Sequence, residues 1–184
     1  MAAPRTLKDN DTLLVVGSAP CVWDDLDNFF ALEHPHDVCV INEIGRFYPC
    51  SFKHAFSFHA QLLIEYGYAG KAICHSVNRN KPTGIDYAWR LSRTSGSSSL
   101  MAARIALRHW GYKRVVVAGV PINNDGHLAG LATHDKTGNY TGIFLAAWEK
   151  FHPELKNFLR SMSGNTRDIY GAPAKEWLND GNDC

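Results

Sequence analysis

RTSGSSSLMAARIALRHWGYKRVVVAGVPIN, residues 93–123, sets the fold class. It opens on a turn of small residues, Thr94-Ser95-Gly96-Ser97-Ser98-Ser99. A helix follows in which Leu100, Ala103, Leu107 and Trp110 fall at i, i+3, i+7 and i+10, forming one apolar stripe. Arg104 and Arg108 share another face of that helix and read as solvated. Gly111 supplies a left-handed stop. Val115-Val116-Val117-Ala118 then has the length and β-branched content of a buried strand, broken by Gly119-Val120-Pro121. Turn, helix, strand and turn make one unit of an α/β protein.

The same unit recurs on either side. Thr12-Leu13-Leu14-Val15-Val16 is a buried strand that ends in Gly17-Ser18-Ala19-Pro20. Further strands are expected at 38–41, 55–58, 72–75 and 158–162, with helices at 24–33, 61–66 and 142–152. Residues 76–92 and 122–140 are polar, lack a period and read as long loops, which in a compact domain often carry function. Apolar strands alternating with helices imply a parallel sheet covered on both faces. The expectation is a single Rossmann-like three-layer α/β domain over 1–184, with a mostly parallel sheet of about six strands. Residues 1–11 form an N-terminal extension, and 166–184 a helical tail interrupted at Gly171 and Pro173.

Composition excludes several classes. With 19 basic and 18 acidic residues the net charge is +1, so there is no strong nucleic-acid signal. No apolar stretch suits a membrane span or an export signal. The five cysteines have no C-x-x-C spacing, and their odd number points to a reducing, cytoplasmic setting.

In open α/β sheets ligands bind beyond the carboxyl ends of the strands. Small and hydrogen-bonding residues gather there: Gly17, Ser18 and Pro20 after the first strand, Asn42 after the second and His59 after the third. Asn123, Asp125 and His127 follow the fifth, and Ser161, Ser163 and Asn165 the last. The Thr94, Ser95, Gly96 and Ser97 turn opens a helix, whose unpaired N–H groups and dipole suit a phosphate or carboxylate. Plain capping by serine fits that turn equally well. An ordinary strand-to-helix turn fits residues 17–20, and Asn42 either reads a ribose or base or caps the next turn.

His59 and His127 are the candidate general bases. Asp125 and His127 with His134 and Asp135 carry metal-ligating side chains but lack tight ligand spacing, so no metal and no cofactor is expected. The serines lack the G-x-S-x-G elbow. G-x-x-x-x-G-K-[ST] is absent, as is the full G-x-G-x-x-G after the first strand.

Taken together, Val15-Val16-Gly17-Ser18-Ala19-Pro20, Val40-Ile41-Asn42, Arg93-Thr94-Ser95-Gly96 and Val117-Ala118-Gly119 resemble the bacterial CMP-sialic acid sialyltransferases. They are also similar to the Rossmann-like group that includes archaeal pterin pyrophosphokinase-like proteins. In the transferases the matching turns line a nucleotide pocket, which implies a nucleotide site at Gly17, Ser18, Pro20, Asn42, Thr94, Ser95 and Gly96. The family's first-turn Asn is Ser18 here, and its later Asp is Pro121. Ser57-Phe58-His59, Gly119-Val120-Pro121 and residues 160–167 with Glu176-Trp177-Leu178 resemble small uncharacterised proteins of phages and prophages. That implies a host cytoplasm and no established activity.

The function expected is binding of a nucleotide or nucleotide-sugar, with metal-independent glycosyl transfer if there is chemistry. His127 would be the base and His59 the reserve. A non-catalytic phage protein that sequesters a nucleotide is the first alternative. A virion or assembly protein that kept the fold without activity is the second. A homo-oligomer is compatible with either.

Overall fold

The valine run is a strand, β6 (Arg114–Ala118), lying parallel to β1 (Thr12–Val16) with Leu14 opposite Val116. The computed structural model describes residues 7–77, 83–90, 97–128, 131 and 141–180. On the other side of β1 lie β2 (Asp37–Ile41), β3 (His54–Phe56), β4 (Ile73–Ser76) and β5 (Tyr87–Ala88) in turn. Beyond β6 lies β7 (Leu159–Ser161). The order is β5-β4-β3-β2-β1-β6-β7, and every pairing is parallel.

Six strands match the expectation, and the seventh lies inside the stretch 76–92 expected to be a loop. Two residues are too few to show a period of two. β5 is held instead by long-range bonds: Trp89 N–H to Ser76 O at 2.7 Å, Asp86 N–H to Cys74 O at 3.0 Å, and the Cys74 N–H on Asp86 Oδ2 at 2.8 Å.

The helices are α1 (Val22–Phe30), α2 (Ala60–Glu65), α3 (Ser98–Ile105), α4 (Thr141–Leu155), α5 (Gly164–Tyr170) and α6 (Lys175–Asn179). Successive strand residues point to opposite faces, and each face has its own helices. Leu13, Val15, Cys39, Ile41, Val115 and Val117 pack with α3, α4 and Tyr170 of α5. Leu14, Val16, Val38, Val40, Val116 and Ala118 pack with α1, α2 and Leu178 of α6. This is a three-layer, Rossmann-like α/β fold. Among the described residues no helix is long and apolar enough to cross a membrane.

Three expectations need correction. Residues 100–106 of the third helix are buried on every side, so it is a core helix rather than a striped surface one. Arg104 is therefore not solvated: it is 2 % exposed, lies 3.8 Å over the Phe151 ring, and pairs with Glu154 at 3.1 Å. Arg108, by contrast, is exposed. The tail helix begins at Gly164, earlier than 166, and breaks at Gly171 into two pieces. The described part of the N-terminal extension is docked, since Asp9 N–H and the Asn10 side chain both reach Asp37, at 2.7 and 2.8 Å.

Beyond Ile105 the third helix widens into a π turn, Ala106–Trp110, stopped by Gly111 at φ 84° as its sequence required. The turn delivers Trp110 and Tyr112 to the amino-terminal ends of the strands. Trp110 stacks on His54, 4.5 Å between ring centres, and the Tyr112 hydroxyl donates to Asp37 at 2.7 Å. With its carboxyl end there and its body across β1 and β2, α3 must start at the carboxyl edge of the sheet.

Candidate functional site

The chain winds outward from β1 through β5, then crosses back to place β6 on the other side of β1. The carboxyl ends of β1 and β6 therefore form a topological switch point, where such sheets bind ligands.

Gly17 and Gly119 meet there. A Cβ on Gly17 would stand 2.5 Å from Gly119 O, and one on Gly119, at φ 65°, would stand 2.8 Å from Gly17 O. Backbone bonds join the two turns, Gly17 N–H to Ala118 O at 2.8 Å and Ala19 N–H to Gly119 O at 3.1 Å. Glycine at these positions thus lets one turn approach the other.

Asp25, in the first turn of α1 and buried, ties three loops together. Its Oδ2 accepts the Gly119 N–H and the Ser163 hydroxyl, each at 2.7 Å. Cys21 Sγ lies 3.3 Å from Ser163 Oγ, and burial raises its pKa, which favours the thiol over the thiolate.

The turn after β6 is strained. Ile122 has φ 49°, an outlier for a β-branched residue. It is held by Asn165 Nδ2 on Ile122 O at 2.7 Å and by Thr166 Oγ1 on Val120 O at 2.6 Å. Strain of this kind collects at functional sites. The segment then returns over the first turn: the Leu128 N–H donates to Ser18 O at 2.7 Å, and His127 Nδ1 lies 2.8 Å from Ser18 Oγ.

Asn42 ends β2, between the ends of β1 and β3. Its φ is 52°, a left-handed conformation that Asn tolerates better than most. Its side-chain Oδ1 is buried and has no hydrogen-bond partner among the described residues. Such an orphan costs about 1–3 kcal/mol unless something satisfies it.

Of the residues expected to form a site, the structure brings Gly17, Ser18 and His127 into one cluster, with Pro20 exposed beside it. Asn42 and His59 lie on the same carboxyl edge. His59 is exposed, and its N–H donates to Ser57 Oγ at 3.0 Å. Ser97 is the N-cap of α3, its hydroxyl accepting the Leu100 N–H at 3.4 Å. Thr94, Ser95, Gly96, His134 and Asp135 lie outside the described residues. No group of three or more His, Cys, Asp or Glu stands together as metal ligands among the described residues. Asp25 and Ile122 are the residues that sequence reasoning missed, as is the bond that ties Ser163 to Asp25.

Fold and topology define an α/β protein with a switch point at the carboxyl ends of β1 and β6. No protein-family model, no curated protein and no solved structure matches the chain.

Proposed function

We propose that the switch-point edge binds a nucleotide or nucleotide-sugar. The observation that carries this reading is Asn42. In doubly wound sheets the residue ending the second strand stands beside the ribose of a ligand bound at the first turn. A buried carboxamide oxygen without a partner among the described residues is an acceptor that a sugar hydroxyl would satisfy.

Charge favours α3 over α1 as the phosphate end. Two acids, Asp24 and Asp25, sit in the first turn of α1, and none sits in the first turn of α3. Anions are stabilised at helix N-termini, and a carboxylate already there opposes a second one. Because the Ser97 hydroxyl is spent on the Leu100 N–H, the phosphate contacts fall to the preceding Thr94, Ser95 and Gly96.

Thermal unfolding against a panel of nucleotides and nucleotide-sugars tests this. A ligand at a hundred times its Kd adds about 2.7 kcal/mol, roughly 5–10 °C at about 2–4 °C per kcal/mol. Asn42→Ala should retain the fold and lose most of that shift. No shift with any nucleotide in the native protein would instead favour a virion or assembly role.

Metal-independent glycosyl transfer is the chemistry this reading supplies, with His127 as base and His59 in reserve. With Nδ1–H donating to Ser18 Oγ, the basic lone pair of His127 lies on Nε2. His127→Ala should abolish transfer and leave the nucleotide-induced shift unchanged; full transfer by that variant removes the role. The exposure of both histidines favours a second reading, sequestration of a nucleotide without chemistry, as by a phage-encoded protein. Transfer chemistry is served by excluding water.

A further inference from the structure

A cavity of about 570 Å³ opens at the opposite edge of the sheet, where β6 begins at Arg114 and β7 at Leu159. Its wall carries four cations, Arg108, Lys113, Arg114 and Arg160, against one carboxylate, Glu154. That carboxylate is already shared by Arg104 at 3.1 Å and Arg108 at 2.9 Å. Lys113 is paired with Asp11 at 3.3 Å.

Arg114 and Arg160 are in a different position. Both guanidinium groups lie over the Trp177 ring, at 5.8 and 4.6 Å, and neither has a carboxylate in ion-pair range among the described residues. Arg160 Nη1 caps the end of α4 through Lys156 O at 2.6 Å and also reaches Leu159 O at 2.8 Å. Its Nε and Nη2 donors have no protein acceptor among the described residues. Both positive charges line one cavity, and an anion bound there would offset them. Asn157 and Tyr112 add two polar groups, and Leu107, Leu155, Phe158 and Trp177 give the wall an apolar part. Leu155 is buried, and Phe158 is left 41 % exposed at the rim.

We infer that this cavity is a second ligand site, separate from the switch point, that takes a small phosphomonoester with a flat or aliphatic body. The volume is that of a small-molecule site. Two guanidinium groups with no carboxylate partner among the described residues suit a phosphate of nearly two negative charges better than a single carboxylate. The apolar wall receives the body.

Isothermal titration with phenyl phosphate, benzoate and phenol tests the inference. Phenyl phosphate should bind saturably, benzoate about tenfold more weakly, and phenol not at all; tenfold is the effect of about one lost charged contact. Arg114→Gln should weaken phenyl phosphate binding at least tenfold without changing the unfolding temperature, because Arg114 caps no helix. Arg160→Gln should do the same while loosening the end of α4. Asn42→Ala should leave this affinity unchanged, which separates it from the switch-point ligand. No saturable binding at millimolar phenyl phosphate, or equal binding by native protein and Arg114→Gln, overturns the inference.

Discussion

Asp25 shows how much one side chain can organise. Its carboxylate accepts from Gly119 on one loop and Ser163 on another, while its own helix starts from the turn after β1. Removing it strands the buried Gly119 N–H and takes the carboxylate acceptor from the half-buried Ser163 hydroxyl. Hydrogen bonds to a charged group are worth about 1.5–3 kcal/mol each, and orphaned partners add to the loss. Asp25→Ala should therefore lower stability by about 2–4 kcal/mol in urea unfolding. Asp25→Asn, which keeps one acceptor oxygen, should lose less. Equal stability of Asp25→Ala and the native protein would mean that the three loops are held by Gly17 and Gly119 alone. Asn42 and Ile122 differ from Asp25 in kind. Each carries a left-handed φ without being glycine, and each stands where a strand ends.

At the scale of elements, the sequence was legible wherever burial is uniform. Strands of the central sheet are apolar on both faces, so 12–16 and 115–118 stand out as runs, and glycines mark their ends. Legibility failed where long-range contact overrides local pattern. β5 exists because Trp89 and Asp86 bond to β4, a pairing that no window of Tyr87-Ala88 can reveal. Arg104 looked solvated because arginine on a helix normally is; Phe151 and Glu154, about fifty residues away in sequence, cover it. The candidate site divided along the same line. Gly17, Ser18, Asn42 and His127 could be listed from the ends of predicted strands, since a parallel sheet puts all those ends on one edge. That Asp25 and Ser163 tie that edge together could not, since residues 138 apart meet only after folding.

At the scale of the whole molecule, a buried polar chain crosses the amino-terminal half of the sheet. Trp89 Nε1–H donates to His75 Nδ1 at 3.1 Å, which leaves the proton of neutral His75 on Nε2. That proton bonds His54 Nδ1 at 2.9 Å, so His54 in turn carries its proton on Nε2, 2.9 Å from both Leu7 O and the Tyr112 hydroxyl. The Tyr112 hydroxyl in turn donates its hydrogen bond to Asp37. Every member is satisfied only while both imidazoles are neutral. Burial pushes His54 down to about 4, with Lys53 nearby acting in the same direction, and it holds His75 well below its ordinary value. Burial alone would raise Asp37, but the Asp9 and Asn10 N–H groups and the Tyr112 hydroxyl outweigh it and hold the carboxyl low.

The sign of the pH dependence follows. Above pH 6.5 neither folded nor unfolded histidine is charged, and the full stability is present. Below 6.5 the unfolded chain takes up protons that the folded chain refuses until about pH 4 for His54, so stability falls across that window. At about 1.4 kcal/mol per unit, His54 alone contributes a loss of about 3 kcal/mol. Asp37 acts lower, its contribution being lost only below its ordinary 3.8. His34 is also lowered by burial and adds to the slope, so a variant is needed to assign it. His54→Gln should be less stable than the native protein at pH 7.5, yet lose less between pH 6.5 and 4.5 in urea unfolding. Parallel slopes for the two proteins would place the acid sensitivity outside the His54–His75 pair.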